Sequence, residues 1–180
     1  TRITFQDGRA VEKSFSKGFG LYQNMYSDCA LRCFSCGDHF GNAADISFGD
    51  CWIRSEKKKG QKKTMAVSFT ASGDKAIESI LRSPSTLTEE IAPVWAVESQ
   101  KRSVVWHTYS RAARARMTKI FGVTIGCSLN LSPRWNDYIS GFLTLFYYKL
   151  FSSRLRCFLF HLPWWVLFPF MAIQKLMLNR

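Results

Sequence analysis

Acidic side chains are scarce beyond the first third of this sequence. Residues 1–56 hold six Lys/Arg against seven Asp/Glu, whereas the remaining 124 hold nineteen against six, so the formal charge of +12 belongs to the later part. No acidic residue lies between Lys101 and Lys119, and none follows Asp137. A one-sided charge of this kind fits a phosphate-bearing partner, either lipid headgroups or nucleic acid, or else a solvated basic surface. Also missing are a P-loop, a dinucleotide fingerprint and a Ser-His-Asp order, which removes support for kinase, nicotinamide and hydrolase chemistry. The opening TRITFQDGRAVEKSF has no apolar stretch of the sort that export requires. The expected compartment is therefore the cytoplasm, where clustered cysteines stay reduced and are better read as metal ligands than as disulfides. A length of 180 residues suits one domain, and a first residue of threonine suggests a fragment or processed chain.

What is present in quantity is cysteine, in one place. Four of the six lie between Cys29 and Cys51, with Cys29, Cys33 and Cys36 spaced C-x3-C-x2-C and Cys51 beyond a strand-like turn. Thiolates three or four residues apart on a tight loop can converge on one soft metal centre. Gly37, Gly41 and Gly49 let the backbone bend closely around such a centre. Spacing alone leaves an iron–sulfur cluster and a structural zinc equally open, although Cys51 lacks the near partner that a zinc ribbon's second knuckle would have. Asp38, Asp45 and Asp50 beside glycines read most simply as turn-capping carboxylates, and His39 as a loop histidine able to titrate near neutrality. Cys127 and Cys157 stand alone and read as packing residues.

The patterning predicts an α+β fold: a small mixed sheet with flanking helices around the cysteine loop, followed by an aromatic helical tail. Ile3 and Phe5 alternate with polar neighbours into Asp7-Gly8, with Val11 and Phe15 returning, which predicts an opening β-hairpin. Apolar residues at i, i+4 from Phe19 to Ala30 predict a helix that delivers Cys29. Strands are expected over Ala44–Phe48 and around Met65, Val67 and Phe69, separated by the basic loop Arg54–Lys63. A helix capped by Asp74 should bury Ile77, Ile80 and Leu81 and stop at Ser83-Pro84. A basic amphipathic helix is expected over Ser103–Phe121, with Arg111, Arg114 and Lys119 off its apolar face and Gly122 ending it.

The last stretch changes character. From Ile139 it is dominated by Phe, Leu, Tyr and Trp, interrupted by His161, Pro163 and Pro169. Cys157–Ile173 is about the minimum length for a membrane span. Interfacial attachment is the preferred reading over a kinked or re-entrant anchor. Trp164 and Trp165 would sit at headgroup depth, with Arg154, Arg156, Lys175 and Arg180 on the phosphates. The expected division is residues 1–130 as the α+β domain and 131–180 as a membrane-interacting tail.

The run RCFSCGDHFGNAADISFGDCW adds a resemblance. Cys33, Cys36 and Asp38 as C-x2-C-x-D, then Ala44, Asp45 and Ile46 as A-D-I, then Gly49, Asp50 and Trp52 as G-D-x-W, resemble the C-terminal domain of the coenzyme F-420 hydrogenase/dehydrogenase beta-subunit family. The similarity extends from the opening hairpin to about Phe121 and omits the tail. It implies an iron–sulfur flavoprotein oxidoreductase component that passes electrons between a 4Fe-4S cluster, a flavin (FAD or FMN) and a redox partner protein or small redox substrate. Relatives among surface-polysaccharide genes suggest that setting. The resemblance implies Cys33 and Cys36 as metal ligands, with Cys29 and Cys51 completing the set by position. It also implies Asp38, Asp45, Gly49 and Asp50 as cofactor-binding positions. The sequence departs from the family in lacking a ferredoxin-like cysteine run and a flavin-binding region ahead of the hairpin, so the catalytic half is expected to be missing. The expected partners are the redox partner and an anionic membrane surface, with a cytoplasmic, membrane-peripheral location; nucleic acid is not the expected partner. The competing expectation is a non-catalytic membrane-associated module with a structural zinc site.

Overall fold

The computed structural model describes residues 2–4, 6–12, 20, 24–26, 29–53, 63–126 and 130–179. The α+β class read from the sequence holds, with the strands arranged as two antiparallel pairs. The chain forms two compact units, Thr1–Cys36 with Thr108–Arg180, and Gly37–His107.

In the first unit, β1 (Arg2–Thr4) pairs with β2 (Ala10–Glu12) in the register Ile3↔Val11, turning at Asp7-Gly8 as the sequence predicts. Gly8 has φ +83, which few other residues tolerate. Phe5 and Phe15, expected on these strands, lie outside the described residues. So does most of the helix expected over Phe19–Ala30. Its described part ends early: Asn24 is helical, Met25 and Tyr26 form a turn with Tyr26 at φ 55, and Cys29 follows in irregular backbone. A single left-handed residue there stops the helix before it reaches the first cysteine. A 3-10 turn, Leu31–Phe34, then carries Cys33.

Three helices close this unit: α4 (Trp135–Phe151), the short α5 (Arg156–His161) and α6 (Trp164–Met177). The Asp137 carboxylate accepts the Arg134 N–H at 2.8 Å, fixing the start of α4. α6 runs antiparallel to α4, since Asn136 Nδ2 near the start of one donates to the Met177 carbonyl at the end of the other. Met25, Tyr147, Phe151, Leu159, Leu167 and Met171 form the core between them. Inside that apolar contact Gln174 Nε2 donates to Thr144 Oγ1 at 3.0 Å, and Thr144 donates to the Ser140 carbonyl at 2.8 Å. Pro169 lies within α6 without ending it. No helix among the described residues is long and apolar enough to cross a membrane.

In the second unit, β3 (Ile46–Asp50) pairs with β4 (Thr64–Ser68). The basic loop joining them falls outside the described residues up to Gln61 and Lys62; Lys63 makes an ion pair with Glu89. β3 starts two residues later than expected because Ala44 and Asp45 are taken up in the preceding turn. α1 (Ala71–Leu81) begins at a Thr70 cap whose hydroxyl accepts the Gly73 N–H at 3.2 Å, four residues before the Asp74 cap expected from the sequence. Asp74 lies instead in the first turn, where its carboxylate suits the helix N-terminus and accepts the Ser68 hydroxyl. Of the apolar stripe expected there only Ile77 is partly buried; Ile80 is exposed and Leu81 is 53% exposed. α2 (Pro93–Ser99), with proline in its first turn, was not legible in the pattern. The helix α3 (Lys101–Phe121) opens in this unit with buried Val105 and Trp106 and continues in the first. It starts two residues ahead of the expected Ser103 and ends at Gly122, φ +57.

Candidate functional site

The cysteine turn is built from hydrogen bonds that need no side chain. Cys33 N–H donates to the Ala30 carbonyl at 2.9 Å, Ser35 N–H to Arg32 at 3.1 Å, and Cys36 N–H to Cys33 at 3.3 Å. This winding sets the Cys33 thiol close enough to Cys29 to influence its ionisation. Phe34 anchors the turn: its ring is wholly buried, edge-on to Tyr148 with centroids 5.3 Å apart and to Tyr26 at 6.4 Å.

Two arginines of α3 hold the turn from behind. Arg114 donates through Nε and Nη2 to the Phe34 carbonyl at 3.3 and 3.1 Å, and Arg111 Nη1 donates to the Ser35 carbonyl at 3.0 Å. The reading of α3 as a helix with its arginines off the core therefore needs correction. Arg114 has 0% exposure and Arg111 is half-buried. α4 approaches α3 closely beside Arg114: a Cβ at Gly141 would meet Arg114 N at 3.2 Å, Arg114 Cγ at 3.3 Å and Met117 Cε at 2.9 Å. The signal available in the sequence was the run of small residues beside arginines with no acidic residue within reach on the same helix.

Burial pushes the Cys29 thiol up to about 11; the adjacent Cys33 pushes the same way, and the Arg114 charge opposes it. Burial likewise raises the Tyr26 phenol, again with Arg114 opposing. Cys29 is thus a neutral thiol at pH 7, and only the thiolate alkylates. Iodoacetamide labelling of the metal-free chain is expected to modify exposed Cys36 at neutral pH and to reach Cys29 only as the pH approaches 11, as peptide mass spectrometry would report. Equal labelling of both at neutral pH would contradict this environment.

The other positions singled out in the sequence belong to the second unit and shape its hairpin. Asp38 Oδ1 accepts the Gly41 N–H at 2.7 Å, closing a turn in which Gly41 takes φ +75. The Asp45 carboxylate accepts the Thr70 hydroxyl, and its carbonyl accepts the Phe69 N–H at 3.0 Å. Gly49 pairs with Met65 and Asp50 with Thr64, and the Asp50 carbonyl accepts Gln100 Nε2. Cys51 N–H donates to the Lys63 carbonyl at 3.1 Å, extending the hairpin, and its side chain is half-buried. His39 lies beside His107, ring centroids 5.2 Å apart, with Nε2 3.4 Å from Gln100 Oε1.

A four-iron cluster needs four ligands, usually thiolates. Cys29 and Cys33 fit as half of that set. Cys36 is exposed at the end of the turn, and Cys51 belongs to the second unit. Among the described residues no group of three or more His, Cys, Asp or Glu side chains is gathered closely enough to hold a metal ion. No family model, curated protein or solved structure matches the chain.

Proposed function

We propose that this chain is the C-terminal-type component of an iron–sulfur flavoprotein oxidoreductase, resembling the coenzyme F-420 hydrogenase/dehydrogenase beta subunits. On this reading Cys29, Cys33 and Cys36 contribute thiolates to a 4Fe-4S cluster whose remaining ligand comes from Cys51 or from outside the chain, and the flavin is held outside residues 1–130. The observation that carries the reading is the C-x2-C-x-D … A-D-I … G-D-x-W run, supported by the nearness of the Cys29 and Cys33 thiols on a turn backed by two arginines. Positive charge behind the turn suits a site that gathers several thiolates. Residues 131–180 attach the component to the cytoplasmic face of an anionic membrane without crossing it.

Anaerobic purification with iron, acid-labile sulfide and zinc analysis tests the reading. Iron and sulfide in similar amounts with brown absorbance are expected. Cys33→Ser should remove most of the iron, and Cys127→Ser should leave it in place. Stoichiometric zinc without sulfide would replace the redox reading by a structural staple, and absence of both metals under these conditions would end both.

A further inference from the structure

The helix α6, Trp164–Met177, is apolar on every side except at Gln174 and Lys175. A helix of that composition is normally enclosed. Here only one side is: Leu167, Met171 and Gln174 face α4 and are buried. The opposite side carries Trp165, Pro169, Ile173 and Leu176 at i, i+4, i+8 and i+11, a single stripe on a 3.6-residue period. All four are exposed, Trp165 by 63% and Leu176 by 62%.

α4 has a comparable stripe in Trp135, Ile139, Phe142 and Phe146, at i, i+4, i+7 and i+11. Its α6-facing residues, Thr144, Tyr147 and Phe151, lie on the other side of the same helix. Each stripe therefore points away from the α4–α6 contact, and one flat surface can take only one of them. The α4 stripe is partly occupied by the chain's own rings, with Phe142 packed on Phe121 at 5.3 Å and stacked on Phe146 at 6.2 Å.

We propose that the Trp165–Pro169–Ile173–Leu176 face of α6 is the part of this chain that enters an anionic lipid surface, with the helix lying in the plane of the interface. The proposal deepens the membrane reading given above and does not depend on the metal. Charge complementarity selects the occupant. After Asp137, whose carboxylate is buried at the start of α4, the sequence has five Lys/Arg and no acid. That field draws in phosphatidylserine-type headgroups and opposes the approach of a second copy of the same segment. Fourteen residues of helix span about 21 Å at 1.5 Å per residue. The hydrocarbon core is about 30 Å thick, so the geometry is parallel to the surface rather than across it. Tryptophan at the head of the stripe suits headgroup depth.

The test uses the full chain with flotation on vesicles of phosphatidylcholine mixed with phosphatidylserine, and on phosphatidylcholine alone. Wild type is expected to float with the anionic vesicles and to lose binding as salt rises. The double variant W165S/L176S should lower partitioning by about tenfold or more, the equivalent of losing one to two buried apolar side chains. The double variant W135S/F146S should change it by less than about twofold, because its side chains face elsewhere. Circular dichroism and a thermal melt of both variants check that the helices are retained, which matters most for Phe146, whose ring lies against Phe142 and Tyr147. Absence of vesicle binding by wild type would overturn the membrane reading as a whole. Binding lost in the α4 variant and kept in the α6 variant would overturn only the assignment of the face. Self-association of wild type in solution, abolished by W165S/L176S and unaffected by vesicles, would instead make the face a contact between copies and reject the lipid.

Discussion

Gly73→Ala is expected to unfold the second unit at temperatures where the wild-type chain is intact. On propensity alone the change should help, because alanine is favoured over glycine inside a helix by about 1 kcal/mol. The packing reverses the sign. A Cβ at Gly73 would stand 2.1 Å from the Asp45 carbonyl oxygen, 2.9 Å from its carbonyl carbon and 3.2 Å from Ser68 Cβ. The obstacle is backbone and cannot swing aside. Asp45 is itself held twice to the same corner, its carbonyl by the Phe69 N–H and its carboxylate by the Thr70 hydroxyl. To make room, α1 must withdraw from the β3–β4 hairpin and break the Thr70 cap, whose partner is the Gly73 N–H. Overpacking typically costs about 1–3 kcal/mol even where side chains can yield, and a lost cap adds about 1. A loss of about 3 kcal/mol or more is a large fraction of the stability of a small unit. Hydrogen exchange over residues 45–50 and 64–68, together with a thermal melt, would register it. Gly49→Ala supplies the contrast, because nothing lies within 4 Å of a Cβ there and the melt should move little. Comparable melts for the two variants would refute the close approach.

That contrast also shows what the sequence could and could not convey. Gly49 belongs to the G-D-x-W run and drew notice for it, whereas Gly73 sits in an ordinary helix and carried no signal. Period and turn chemistry were legible: Ile3 and Val11 face each other across Asp7-Gly8, and Met65 and Val67 lie on a strand. These depend on neighbours within a few residues. What depends on distant neighbours was not legible. The helix starts at Thr70, whose hydroxyl is held by the sequence-distant Asp45 carboxylate, so Asp74 falls inside the first turn. Ile80 and Leu81 fit the helical stripe but are exposed, since a period says which residues share a face and not whether anything packs on it. The cysteines divide along the same line: Cys29 and Cys33 meet because four residues of winding bring them together, while Cys51 falls in a unit whose boundary at Gly37 no spacing reveals. The aspartates of the run have visible local tasks, Asp38 in closing a turn and Asp45 in tying β3 to α1.

Arg114→Met should loosen the cysteine turn and alter its chemistry together. An arginine with 0% exposure carries a desolvation penalty, so methionine, similar in length and apolar, removes that penalty while keeping most of the packing. If charge burial were the only consideration the variant would gain stability. Against this, the Phe34 carbonyl would lose both donors it receives from Arg114, and a hydrogen bond from a charged group contributes about 1.5–3 kcal/mol. Phe34 is wholly buried against Tyr148 and cannot turn its carbonyl to water without giving up that contact. The net expectation is a loss of about 2 kcal/mol, with Arg114→Ala worse because it also leaves a cavity. The chemical readout separates this from generic destabilisation. Arg114 is what holds the Cys29 thiol down against burial, so the alkylation midpoint of Cys29 should rise above its wild-type position near 11, measured below the melting temperature of the variant. Under the iron–sulfur reading the same variant should retain less iron than wild type, because thiolate formation at the turn becomes harder. An unchanged midpoint alongside a lowered melt would leave Arg114 as a packing residue only and would remove the electrostatic support it lends the cysteine turn.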